Sequence, residues 1–400
     1  MLSKVKAYIH QPFFGKAGKF LTQPNVILLV WIITAIAVSA KQFLNGSYNN
    51  YSIFKYTYFH AVDGLNLYAA YPKEYLDTNH YGPLFSLLIA PFAVLPDFLG
   101  MTLWQLANIF FFFFAIKHLP IDNRKINILY WIVLHELMTS MFSFQFNISI
   151  TAIIILTYAL IEKEKNFWAA FFIVFGTLVK LYGIVGLAFF FFVKAKPRFI
   201  LYCVLWSVVL FALPMIFFSH QFILDSYSDW YFSIAEKQSL NASLTSMQDI
   251  SLMGMVRRIS GDASIPDLPF LIFGILLFAL PYLRIKEHKD KMYRLYYLAS
   301  VLIFTVIFSN SSESPTYIIA FAGVGLWFML EPRPVPAYVL VLFIFAMLLT
   351  SFSPSDIFPR FIRNEYIRPY SLKVLPCVLV WFVISYRLLT RKFTQKINRQ

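Results

Sequence analysis

The sequence predicts an all-α, polytopic integral membrane protein with about twelve transmembrane helices, forming one domain over residues 1–400. Three observations carry this expectation. Charged residues make up only 14% of the chain and hydrophobic ones 59%, against about 25% charged residues in soluble domains. Apolar runs recur near the length of about 20 residues that a helix needs to cross the hydrocarbon. The period-two alternation of a membrane barrel is absent, so helices are favoured. The net charge of +14 is not the mark of a nucleic-acid binder. Lys4, Lys6, Lys16 and Lys19 precede the first apolar run, and Arg387, Arg391, Lys392, Lys396 and Arg399 follow the last. That clustering predicts cytoplasmic termini by the positive-inside rule, and hence an even number of spans.

In chain order, the first span is expected at 25–42 and delivers the chain to a polar stretch at 49–83. Within it, 51–67 and 72–79 could each form a short interfacial helix with aromatic rings at headgroup level. Pro83 suits a first helical position and opens a second span that breaks at Leu95-Pro96-Asp97. Further spans are expected at 99–116, 126–142 and 147–161. The run 167–193 reads as one long tilted span, or as two short ones meeting at Lys180-Leu181-Tyr182-Gly183; one span gives twelve, two give thirteen. The single span is preferred, although it leaves Lys117, Arg124 and Lys125 outside, against the positive-inside trend. The remaining spans are expected at 198–218, 267–283, 293–309, 316–330, 335–352 and 372–389. The charged loop 284–294 is cytoplasmic in this scheme, and polar loops at 219–267 and 353–371 face the other side. A polar leader with no small-residue cleavage site argues against a signal peptide. Cys203 and Cys377 lie in apolar runs and read as buried thiols. The scattered histidines show no metal-ligand spacing.

Charge inside a bilayer needs a partner or a role. Lys180, in TLVKLYG, either binds an anionic head group such as a lipid phosphate, or snorkels or pairs with a carboxylate such as Glu136. His135 and Glu136 either line a cavity or join helices; the structural role is preferred. Gln145 and Asn147 could bind sugar hydroxyls, or Asn147 could cap the fifth span, on the cytoplasmic side in this count. Asp249, Arg257 and Arg258 flank an amphipathic stretch, with the arginines facing lipid phosphate or serving as an anchor. Glu313 contacts substrate or caps a helix. Asp63, Glu74 and Asp77 are the first loop's candidate bases for a hydroxyl proton.

Several segments together resemble glycosyltransferase family 87 of the GT-C superfamily. They are DGLNLY at 63–68, HYGPLFSLLIAPFAVLP at 80–96, TLWQLAN at 102–108, QFN at 145–147 (with Phe144 where the family has glycine), KLYG at 180–183 and QDISLMGMVRR at 248–258. The resemblance implies a multi-pass enzyme of the inner, cytoplasmic membrane with a long first extracytoplasmic loop. It would transfer a hexose, mannose-type, with inversion from a polyprenyl-phosphate donor to a lipid or glycan acceptor on the extracytoplasmic face. The family's base is an aspartate that falls here on Asn50, which cannot accept the proton: either another acid (Asp63, Asp77 or Asp249) takes the role, or the correspondence is shifted, or this branch works differently. Lys180 with Arg257 or Arg258 would hold phosphate. Lys55, His80, Tyr81, Gln145, Asn147, Asp249 and Glu313 would contact substrate. No metal or other cofactor is expected, and the partners are the lipid-linked donor, the acceptor and membrane lipids. Two other readings stand: a transporter or flippase of a lipid-linked glycan, which should show charges deep in several spans, and a non-catalytic membrane partner that keeps the fold.

Overall fold

The computed structural model describes residues 20–393 except Ala242 and Met247. The basic residues Lys4, Lys6, Lys16, Lys19, Lys396 and Arg399 lie outside the described residues. Among the described residues the fold is helical without strands. Four helices are long and apolar enough to cross a membrane: Pro24–Leu44, Asp97–Lys117, Lys196–Ile216 and Leu372–Thr390. Shorter apolar helices pack among them.

Helix α1 (Pro24–Leu44) begins on proline, whose fixed φ suits a first turn. The segment before it accepts hydrogen bonds from Asn127 and Trp131, while Gln42 near its end donates to the Phe142 carbonyl. The helix after Asp122, Asn123–Phe142, therefore runs beside α1 in the same direction. Helix α2 (Asn49–Asp63) fulfils the first interfacial helix expected in the polar stretch, and Gly64 ends it at φ 67°. The second expected helix does not form. Residues 72–79 make turns, because Asn49 holds that strip through both its amide groups, bonded to the backbone of Leu76 at 2.7 Å.

The expected second span is a correction. Helix α3 (Phe85–Ala93) has nine residues, about 14 Å long, against ~30 Å of hydrocarbon. It leaves Gly82, bonded to the Val179 carbonyl, and returns to α2, where Tyr51 donates to the Phe92 carbonyl at 3.0 Å. Helix α4 (Asp97–Lys117) then starts beside α2, with Lys55 paired to Asp97 and Phe98 against Phe43. So α3 begins and ends at one end of the bundle. Gly100 permits this approach: a Cβ there would meet Tyr51 Oη at 2.0 Å and the Phe92 carbonyl oxygen at 2.4 Å. Helix α4 crosses to the opposite end, and α5 (Asn123–Phe142), capped by Asp122, crosses back. Lys117, Arg124 and Lys125 therefore share the end where α1 begins, not the opposite end to which the expected spans assigned them.

Helix α6 (Asn147–Glu162) is buried on all faces and forms the centre of the bundle. The run 167–193 is the second correction. Helix α7 (Asn166–Val179) stops at Lys180, whose backbone is extended, and a 3-10 segment, Leu181–Phe192, returns antiparallel. A Cβ on Gly183 would lie 2.2 Å from the Gly176 carbonyl carbon, and one on Gly186 2.7 Å from Ile173. Lys194 meets Glu164 at the foot. Small residues facing each other let the two legs close, so the run is a hairpin with Lys180 at its tip rather than one tilted span.

Helix α8 (Lys196–Ala212) returns to the Lys180 end. The next polar loop contains two helices, α9 (His220–Asn241) and α10 (Leu252–Ser260). The latter was expected from its amphipathic pattern, and Ser251 caps it by accepting from Gly254 N. Helices α11 (Leu268–Ala279), α12 (Lys291–Ile307), α13 (Tyr317–Leu330), α14 (Ala337–Phe345, extended by a π turn to Phe352) and α15 (Leu375–Thr390) complete the bundle. At the end away from Lys180, Arg294 pairs with Glu162 and Arg387 with buried Glu331. Cys377 is buried, whereas Cys203 is half-buried, and both are free thiols.

Candidate functional site

A cavity of about 260 Å³ opens at the Lys180 end, beneath α2 and α9. Its floor is set by the hairpin tip. The extended backbone at Lys180 turns the side chain inward, where Nζ donates to Asn147 Oδ1 at 2.7 Å and lies 3.4 Å from Tyr81 Oη. The ammonium also faces the rings of Tyr81 and Tyr182, at 5.1 and 5.4 Å from their centroids, a cation–π arrangement. Asn147 Nδ2 donates to Gln145 Oε1 at 2.7 Å, and Gln145 Nε2 donates to Glu313 Oε2 at 2.8 Å. One hydrogen-bonded chain thus joins a cation at one wall to a carboxylate at the other. Asn147 is the first residue of α6 and makes no capping bond. It sits at the Lys180 end with the polar stretch 49–83, not at the end where α1 begins as the expected spans would have it, because α3 starts and ends at one end of the bundle. Lys180 does not pair with Glu136, whose partner is Lys373 at 3.1 and 3.2 Å.

The roof holds a second charged group. Asp77, at φ 70°, meets Lys237 at 3.2 Å and His80 at 3.8 Å. Burial opposes ionisation of Asp77, but the His80 hydrogen bond and the Lys237 charge outweigh it and hold its carboxyl well below the usual carboxylate range. Helix α9 is fastened here: Trp230 donates to the His80 carbonyl, Ser233 to the Asn79 carbonyl, and Lys237 to Asp77. These residues follow helical spacing along one face. That face was the signal in the sequence for Lys237, which sequence reasoning missed along with Gln238, Gln248 and Ser311, all lining the cavity. Burial pushes the Tyr81 hydroxyl above its ordinary value, so it stays a donor.

Of the residues expected at the site, Asn50, Asp77, His80, Tyr81, Gln145, Lys180 and Glu313 line the cavity, and Asn147 touches it through Lys180. The others do not. Asp63 is exposed at the end of α2. Lys55 is held by Asp97, and Glu74 by His60 at 2.7 Å. Asp249, Arg257 and Arg258 form a buried cluster instead of facing lipid. Arg257 bonds Asp249 at 2.9 Å and also Asp267, and Arg258 donates to Ser371 at 2.8 Å. The amphipathic pattern was read correctly but the arginines lie on its inner side. Removing one partner of a buried pair leaves an uncompensated charge, so Arg257→Ala is expected to cost about 3–5 kcal/mol of stability. Thermal unfolding in detergent measures this, and an unchanged midpoint would return the arginine to the surface. His135 bonds Ser351 and does not line the cavity, in keeping with the structural role preferred for it and for Glu136.

The bundle and a polar cavity at one end of its apolar helices define an integral membrane protein with a site for a polar substrate. The model of glycosyltransferase family 87 matches residues 79–309, more than half of the chain, and the chain belongs to that family. It is therefore a membrane glycosyltransferase by family. His80, Tyr81, Gln145, Asn147, Lys180 and Lys237 fall within the match, while Asn50, Asp77 and Glu313 lie outside it. No curated protein matches the chain.

Proposed function

We propose that this chain transfers a hexose, mannose-type, from a polyprenyl-phosphate-linked donor to a hydroxyl of a lipid or glycan acceptor. The observation that carries the reading is the single cavity in which Lys180 and Glu313 end one hydrogen-bonded chain. The acceptor oxygen forms a bond to the anomeric carbon while the bond from that carbon to the phosphate oxygen breaks, and the electron pair leaves on phosphate. Lys180, with Lys237 nearby, stabilises the growing negative charge. The acceptor proton passes to a carboxylate, for which Glu313 is the better candidate. Asp77 is committed to Lys237 and His80 and is a weak base. One displacement of this kind inverts the anomeric centre. The amides and the Tyr81 ring suit sugar hydroxyls and a sugar face.

We further propose twelve crossings: α1, α4, α5, α6, α7, the returning 3-10 segment, α8 and α11–α15. The short loops away from the cavity hold Arg124, Lys165, Lys194 and Arg284, which supports a cytoplasmic position for that end and both termini, with the cavity extracytoplasmic. The membrane is the cytoplasmic one. Lys180 supplies positive charge to the leaving phosphate, so transfer is expected to persist in EDTA, and a loss restored by a divalent ion would overturn this. The decisive assay incubates the purified protein with radiolabelled polyprenyl-phosphate hexoses and membrane extract. Transfer to no acceptor, across several donors, would sink the enzyme reading. Asn50, lining the cavity where the family resemblance sets its base, favours a second reading in that event: a non-catalytic partner that keeps the fold.

A further inference from the structure

A second cavity, of about 340 Å³, lies behind a thin wall of the first. Gln248 and Glu313 face the first cavity, while their near neighbours Ile250 and Ser314 face the second. The wall is knitted by Ile250 N donating to the Ser312 carbonyl and Tyr317 Oη donating to the Ile250 carbonyl, each at 2.7 Å. Arg363, Arg368 and Lys373 line the second cavity with Ser314, Ser353 and Ser371, and no carboxylate among the described residues lines it. The first cavity, by contrast, mixes acids with bases.

The three cations are not equally engaged. Lys373 is occupied by Glu136 and Ser314. Arg363, 8% exposed, gives Nη1 to the carbonyls of Pro354 and Ser355 and lies 3.4 Å from Asp356, while its Nε is buried without a partner. Arg368 is exposed, with no ion pair among the described residues. A buried N–H without an acceptor costs free energy, and an anion seated between two guanidinium groups would supply one. Planar guanidinium forks match phosphate oxygens. The loop that carries these arginines also exposes Ile357, Phe361, Tyr366 and Tyr370, the residue types that sit in a bilayer interface. An anion that entered past this loop would arrive on a lipid.

We infer that the second cavity binds the phosphate ester of a lipid substrate, separate from the phosphate held at Lys180. Assigning that lipid to the acceptor rests on the glycosyl-transfer reading, because the donor's one phosphate is accounted for by Lys180. Anion binding itself does not rest on it. The test uses the full chain in zwitterionic detergent, titrated with dihexanoyl-phosphatidylglycerol and, in a second arm, with glycerol 1-phosphate. Arg368 is exposed, so Arg368→Gln and Arg368→Glu should fold. Each is expected to weaken phosphatidylglycerol binding by about tenfold or more, the equivalent of one charge-assisted contact. Lys117→Gln, at the opposite end of the bundle, should leave that affinity unchanged. Wild-type affinity in both Arg368 variants, or an equal loss in Lys117→Gln, overturns the site. Glycerol 1-phosphate binding as tightly as the lipid overturns the lipid-borne assignment. Should the Arg368 loss appear while no donor supports transfer, the anion site stands and only the glycosyl-transfer reading falls.

Discussion

Lys180→Met is expected to lower kcat by about 10²–10³-fold, the range seen when one preorganised donor to a developing oxyanion is lost. The ammonium is fixed by Asn147 and two tyrosine rings before any substrate arrives, so its orientation costs nothing at the moment of reaction. Its charge matters most when the phosphate leaves, which makes the loss fall on kcat more than on KM. Lys180→Arg should recover part of the rate, since the charge returns but the Asn147 geometry does not. The measurement is initial-rate transfer from a labelled lipid-linked hexose. A rise in KM with kcat unchanged would turn Lys180 into a ground-state anchor, and full activity would remove it from the reaction.

Glu313→Gln is expected to lower kcat by about 10²–10⁴-fold, as the loss of a general base does. The amide keeps the size and still meets Gln145, so the helix start at Ser314 should survive. Asp77→Asn tests the alternative. The folded-state pKa of Asp77 is depressed by His80 and Lys237 against an opposing burial effect. Its contribution to stability is therefore fully present above the unfolded value of about 3.9 and is lost only as pH falls through the lower, folded value. Between pH 5 and 8, by this sign, the group does not titrate, so Asp77→Asn should lower activity by loosening α9 without moving the acidic limb of the pH–rate profile. A profile that shifts in Asp77→Asn and not in Glu313→Gln would exchange the two roles.

The helical class was legible because lipid imposes a composition that no soluble core tolerates. The topology was less so. Apolar content marks 83–95 as membrane-like, yet length decides whether a helix crosses, and α3 is too short. The hairpin at Lys180 was visible only as an apolar run holding a lysine and three glycines. Which faces of the legs met could not be read without Gly176 opposite Gly183. In the topology proposed above the two differences offset each other in the span count, while the first moves Asn147 to the end of the bundle that holds the polar stretch 49–83. Lys180 stood out because a charge in apolar surroundings needs a partner, whereas Gln145 and Asn147 read first as groups at a helix end. Arg257 and Arg258 misled for the same reason: the rule says that a partner exists, and does not say whether it is lipid or Asp249. Lys237 went unseen because a lysine on a polar helix looks like solvent exposure until that helix is docked.

The hairpin also bears on the membrane around it. Its outgoing leg has 14 residues and its returning leg 12, about 21 Å as an α-helix and about 24 Å as a 3-10 helix. Both fall short of a hydrocarbon layer of about 30 Å. A segment this short thins the lipid beside it or draws the aqueous boundary inward. On the proposed topology Lys180 would mark a dimple in the bilayer surface, where the proposed long-chain phosphate donor would settle below its neighbours without its tail leaving the hydrocarbon.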